Sequence, residues 1–264
     1  MDNKTQPPGT AELEFLADIA RSTERRRFLK WSGLTIAVAA VGCSPDGAVQ
    51  PAAVAGAPTL PGGPAPDHQG TAASVNLGTG DVAVLNYAFA LEQLEYAFYV
   101  EVLNAPYAGM TAAERAILED LRVHEDIHQK FFREALGAAG IPTMQFDFAS
   151  VNFADRTSVL TTARTFEDIG VSAYNGAAQL LTNPDFLMLA GKIVSVEGRH
   201  AAAIRDLLAP GTAAFAGDDV VNMQGLDVVR VPSQVLPLAD PFIVTTIVAT
   251  GLPTPAVTPA SPTA

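Results

Sequence analysis

The chain has 264 residues, a net charge of −12, an isoelectric point near 4.6 and one cysteine. Binding nucleic-acid phosphate needs clustered Lys and Arg, so this balance argues against a nucleic-acid partner and makes divalent cations the natural ones. With a single Cys43, an internal disulfide, an iron–sulfur cluster and a zinc finger are all excluded.

Residues 1–43 read as an address. Arg25-Arg26-Arg27-Phe28-Leu29-Lys30 fits the twin-arginine export pattern R-R-x-F-L-K, with Glu24 where Ser or Thr is usual. The apolar run from Trp31 to Gly42 is too short to span a bilayer, which takes about 20 residues. It ends in Ala40-Val41-Gly42-Cys43-Ser44, which resembles a lipoprotein processing box, and Cys43 is the candidate for lipid attachment and a membrane tether. The first 42 residues hold six Lys or Arg and five Asp or Glu, so the remainder carries −13. These features place the mature protein in the periplasm or cell envelope. Residues 44–78 are rich in Pro, Ala and Gly, bury little and read as a disordered linker in which His68 is solvated.

From 79 to 209 the pattern is helical, with breaks at Pro106, Pro142 and Pro184. A first helix is expected from Asp81, as N-cap, to Asn104, with Leu85, Phe89, Glu92, Tyr96 or Glu95, Tyr99 and Leu103 inward. The second opens with the capping box Thr111-x-x-Glu114 and runs to Leu136, its stripe being Leu118, Leu121, Glu125, His128, Phe132 and Ala135. About twenty residues then cross over to a third helix, Thr157 to Leu181, and this length fits a bundle with one long crossover. The fourth starts at Asn183-Pro184 and places Ala190, Ile193, Glu197, His200, Ile204 and Leu207 or Leu208 on one side. From 210 to 264 an extension is expected to pack on the bundle as irregular structure or a short strand, with a disordered tail.

Within this pattern, Glu125-x-x-His128 and Glu197-x-x-His200 each follow a helix carrying a lone glutamate on an apolar stripe, Glu92 and Glu167. A three-residue spacing puts Glu and His on one helix face. The halves echo one another, for Tyr99 stands seven residues after Glu92 and Tyr174 seven after Glu167. A pseudo-twofold axis follows: Glu125 and Glu197 would bridge two ions, each with its own terminal glutamate and histidine. Four helices supplying Glu, Glu-x-x-His, Glu and Glu-x-x-His is the arrangement of ferritin-like dinuclear carboxylate proteins.

The segments LNYAFALEQLEYAFY, HEDIHQKFF, FEDIGVSAYNGAA and IVSVEGRHAAAIR resemble the bacterial ferritin-like domain family related to desiccation-associated proteins, over about residues 80–245. The resemblance implies an all-α, ferritin-like four-helix bundle and carries Glu92, Glu125, His128, Glu167, Glu197 and His200 over as dinuclear metal ligands and catalytic candidates.

Hard oxygen and imidazole ligands suit iron first and manganese as the alternative, with zinc also accommodated. The leading expectation is a metalloenzyme that oxidises ferrous iron with O2 or H2O2, or removes peroxide, in envelope stress protection. The alternative is a non-catalytic, metal-binding or structural envelope protein. Glu95 reads as an exposed charge in preference to an extra ligand. Asp168 and His124 lie about 100° around their helices from Glu167 and Glu125 and read as solvated or as supports of the site. Tyr99 and Tyr174 are expected in the core with hydroxyls bonded near the site, and Gly170 and Gly176 are expected to permit close packing. The tether, the linker and the extension favour a monomer or small oligomer over a storage cage.

Overall fold

The structure, a computed structural model, describes residues 73–255. The twin-arginine pattern, Cys43, His68 and the tail from 256 lie outside the described residues. Four long helices, α1 (Gly80–Asn104), α2 (Ala112–Leu136), α3 (Arg156–Ala177) and α4 (Pro184–Leu208), form two hairpins. Helix α1 packs on α2 and α3 on α4, while α1 also faces α3 and α2 faces α4. No described helix is long and apolar enough to cross a membrane.

The starts of α2, α3 and α4 have local causes, and that of α1 differs from expectation. The Thr111 hydroxyl accepts from Glu114 N at 3.1 Å and the Glu114 carboxylate accepts from Thr111 N at 2.8 Å, completing the capping box of α2. Asp155 and Asn183 accept from the backbone N of Thr157 and Asp185 to start α3 and α4. Helix α1 begins after Thr79, and Asp81 is not its N-cap. The Asp81 carboxylate instead accepts from Thr182 N at 2.8 Å and Asn183 N at 2.9 Å, tying the α3–α4 turn to the start of α1. At the opposite end Arg156 donates to Glu114 at 2.6 Å and to the Leu207 carbonyl at 2.7 Å, joining α2, α3 and the last turn of α4.

The crossover is packed along α1. Asn86 donates to the carbonyls of Leu77 and Ala139 and accepts from Ile141 N at 2.9 Å, and Gln93 accepts from Met144 N at 2.9 Å. Two amide side chains thus satisfy backbone that a loop would otherwise bury unpaired. Phe148 and Phe153 reach across to Phe98, and Phe148 also meets Phe166, in an aromatic cluster that Phe242 closes from the C-terminal extension. Helix α1 is consequently buried almost all round, whereas α2 buries one stripe, with Leu136 in place of Ala135 at its end.

Two expectations for the flanks are corrected. Ser74–Asn76 forms strand β1, although it falls in the stretch expected to be disordered, because Val75 and Leu77 are buried anchors and Thr246–Val248, strand β2, pairs with it in parallel. The extension supplies the short strand expected of it, β2, and holds in addition a helix, α5 (Pro232–Ala239), that was not expected. Val231, Val235 and Ala239 bury α5 against α3. Gly176 makes that approach feasible, since a Cβ there would lie 1.8 Å from the Arg230 carbonyl oxygen.

Candidate metal centre

The stripes of the four helices meet in a pocket closed to solvent. Glu92, Glu125, Glu167 and Glu197 are fully buried, and His128 and His200 are 9% and 3% exposed. The two imidazole rings lie 6.3 Å apart, centroid to centroid. His128 Nδ1 lies 3.1 Å from Glu92 Oε2, 3.3 Å from Glu125 Oε2 and 3.1 Å from Glu197 Oε1. His200 Nδ1 lies 2.8 Å from Glu125 Oε1, 3.4 Å from Glu167 Oε2 and 3.6 Å from Glu197 Oε2. Glu125 and Glu197 therefore turn one oxygen towards each histidine. Glu92 serves only the His128 side and Glu167 only the His200 side.

The tyrosines cross between hairpins. Tyr99 of α1 donates to Glu167 Oε1 of α3 at 2.5 Å, and Tyr174 of α3 donates to Glu92 Oε1 of α1. Each terminal carboxylate is thus held by one oxygen, leaving the other turned to the pocket. The seven-residue spacing makes this crossing legible as two equivalent halves.

Several of the inward atoms have no hydrogen-bond partner: Glu125 Oε1, Glu167 Oε2, both oxygens of Glu197 and His200 Nδ1. The 2.8 Å approach of His200 Nδ1 to Glu125 Oε1 is close enough for a hydrogen bond but is not aligned as one. Orphaned buried polar atoms are rare and costly, and here they lie close together in one pocket. The donor atoms form two overlapping groups of four, Glu92, Glu125, His128 and Glu197, and Glu125, Glu167, Glu197 and His200. Within each group the atoms lie within 4.8 Å of one another, so each could hold a metal ion.

Without ions the cluster must hold protons. Burial raises the Glu125 carboxyl, with Glu197 beside it adding to the rise against the histidines. Burial also raises Glu167, to about 7, although His200 pulls it down. Burial opposes ionisation of Glu197 as well, but His128 and His200 outweigh it and hold that group at about 2. Both histidines are raised, because the surrounding carboxylates overcome the burial that disfavours imidazolium.

Other residues fall differently from expectation. Glu95 is not an exposed charge: it is 3% exposed and its Oε1 lies beside Gly170, on the rim of the cluster. Burial followed by Glu197 raises its carboxyl. Asp168, with its side chain 17% exposed, accepts from Arg205 at 2.8 and 2.7 Å and is engaged there instead of in the cluster. The buried Arg205 also bonds Asp219 and the Ala214 carbonyl, so it clamps α3, α4 and the extension together. His124, by contrast, takes the supporting place that was one of its two expected ones: it stacks on His200, with its Nδ1 2.9 Å from His200 Nε2. Nothing in the i, i+3 pattern flags that stacked pair; adjacency to Glu125 is its one sequence signal.

Two helical hairpins bringing paired carboxylates and histidines to one interior point define a four-helix bundle with a buried carboxylate–histidine cluster that could hold a metal ion. Residues 80–210 match the family model described as ferritin-like domain, and this segment is a ferritin-like domain. No curated protein matches the chain.

Proposed function

We propose that the protein is an exported dinuclear metal protein that oxidises ferrous iron with dioxygen or peroxide, or removes peroxide, in protection of the cell envelope. The observation that carries this reading is the set of orphaned buried polar atoms on Glu125, Glu167, Glu197 and His200, gathered from three helices within two overlapping donor groups. Iron or manganese, when bound, supplies the electron exchange with the oxidant. Four carboxylates offset the charge of two divalent cations, and oxygen and imidazole donors suit both metals.

Glu125 and Glu197, each with an oxygen on either side, are the residues to bridge. Glu92 and Glu167 would act as terminal ligands, with their orientation fixed by Tyr174 and Tyr99. In the ferrous reaction, peroxide takes one electron from each of two substrate ions and two protons, and leaves as two waters. The cluster's protonated carboxyls and imidazoliums are the sources of protons, released as cations enter. The buried pocket keeps bulk water away from the reacting atoms.

Metal analysis of the purified protein with oxygen-consumption and peroxide-decay assays tests the proposal. Two equivalents of iron or manganese with turnover of either oxidant are expected. Metal without turnover would leave the non-catalytic binding protein, and no metal would overturn both. Export through the Arg25–Lys30 segment, with a tether at Cys43, belongs to the same proposal. Replacing Arg25 and Arg26 with Lys should strand the folded protein in the cytoplasm, and unchanged export would contradict it.

A further inference from the structure

The two halves of the pocket repeat with one exception. Glu92 and Glu167 correspond, as do Tyr99 and Tyr174, each seven residues on. Three residues after Glu92 stands Glu95, and three residues after Glu167 stands Gly170. The inner position that carries a carboxylate on α1 thus carries no side chain on α3. A Cβ at Gly170 would lie 3.0 Å from Glu95 Oε1 and 3.4 Å from Glu197 Oε2. Glu95 therefore reaches across from α1 to the face of α3, into space that the glycine leaves.

That space belongs to one side of the centre. Glu197 Oε2, beside Gly170, is the oxygen turned to His200, and Glu167, the terminal carboxylate of the same side, lies one turn before Gly170. A symmetric pair of glutamates at these positions would crowd both carboxylates into one gap. One glutamate facing a glycine fits, and it makes the two sides unequal in the number of carboxylates they offer.

We propose that Glu95 is a seventh ligand of the centre, binding the ion on the His200 side through the opening made by Gly170. This rests on the reading of the cluster as a dinuclear site. The ion held by Glu125, Glu167, Glu197 and His200 then has three carboxylates besides the one contributed by Glu95, and the ion on the His128 side has none from the corresponding position of α3. The centre accordingly fills in two steps, the His200 side first, because it offers the ion one carboxylate more than the other side.

The test is a calorimetric titration of Mn2+ into the metal-free full-length protein, with the paramagnetic resonance spectrum followed at each equivalent. The wild type is expected to bind in two resolved steps. Glu95→Gln keeps the shape and removes the charge, and should weaken the tighter step about tenfold or more while leaving the other unchanged. The spectrum of the first ion should change with it. Gly170→Ala is the second variant: alanine favours the helix, so the metal-free protein should melt no lower, yet the displaced Glu95 should cost the same step. Equal weakening of both steps, or of neither, in folded Glu95→Gln protein overturns the proposal, as does unchanged binding in Gly170→Ala. Wild-type protein that takes up no Mn2+ defeats the dinuclear reading beneath it, a result distinct from either.

Discussion

The hairpins α1–α2 and α3–α4 deliver the same atoms to the pocket and are dressed in different ways outside it. Helix α1 is covered by the crossover, whose backbone is met by Asn86 and Gln93. Helix α3 is covered by the C-terminal extension and meets it with small residues: Ser172 O accepts from Arg230 N at 3.0 Å, Asn175 donates to Val228 O, and Gly176 gives way to the Arg230 carbonyl. Twofold equivalence survives where the residues face the centre and is lost where each helix meets its own cover. Positions that hold cations are constrained by bond lengths near 2 Å, whereas a covering loop needs only that its backbone be satisfied. Glu95 and Gly170 are where the asymmetry enters the pocket itself.

The strongest way to break the comparison is to remove its shared members. Glu125→Ala and Glu197→Ala should each lose both ions, because each residue serves both histidines. Glu92→Ala and Glu167→Ala should each weaken only the ion on their own side. Metal analysis of the four purified variants checks this, and equal losses in all four would remove the distinction between bridging and terminal residues.

Next in size is metal removal. Ions bound a thousandfold above their dissociation constant stabilise a fold by about 4 kcal/mol per site. Chelated protein should therefore melt well below loaded protein, and Glu125→Ala should show no such difference.

The pH dependence sharpens the same point. Glu167, raised from 4.5 to about 7, is protonated in the metal-free fold below that pH and must lose its proton to bind a cation. Metal affinity should fall as pH drops through about 7. For the metal-free fold the sign is opposite: a carboxyl whose folded pKa lies above its unfolded value loses stability as pH rises from 4.5 to about 7. Glu197, held at about 2, contributes stability that is lost only as pH falls from 4.5 towards 2. Calorimetric melts of chelated and loaded protein between pH 4.5 and 8 should diverge with rising pH.

Smaller effects probe the covers and supports. Gly176→Ala should destabilise the fold by roughly 1–3 kcal/mol, since Arg230 and α5 must shift, without altering metal stoichiometry. Tyr99→Phe and Tyr174→Phe each remove one buried hydrogen bond to a carboxylate, worth roughly 1.5–3 kcal/mol. Each should loosen the terminal ligand in the other hairpin, so thermal melts and metal affinity should change by similar amounts in the two variants.

The ferritin-like fold was legible because its signals are local. Glu-x-x-His places two side chains on one face wherever a helix forms, and Thr111, Asn183 and Pro184 mark helix starts regardless of what packs above them. The convergence of the six named residues followed from the stripes. Glu95 was misjudged because its position one turn from Glu92 is equally that of a surface charge; the clue lay in the other half, in Gly170. Strand β1 and helix α5 were not readable since each depends on a distant partner, β1 on β2 and α5 on α3. Asp81 resembled an N-cap, and only the return of the chain at Thr182 and Asn183 gives its carboxylate other donors.

The central claim is that the buried cluster holds two ions between Glu125 and Glu197. A crystal structure of the full-length protein loaded with manganese, with anomalous scattering measured at the manganese edge, tests it most directly. Two peaks about 3.5–4 Å apart are expected, one beside His128 and Glu92 and the other beside His200 and Glu167. An empty pocket in crystals that contain manganese elsewhere, or a single peak outside the six side chains, would contradict it.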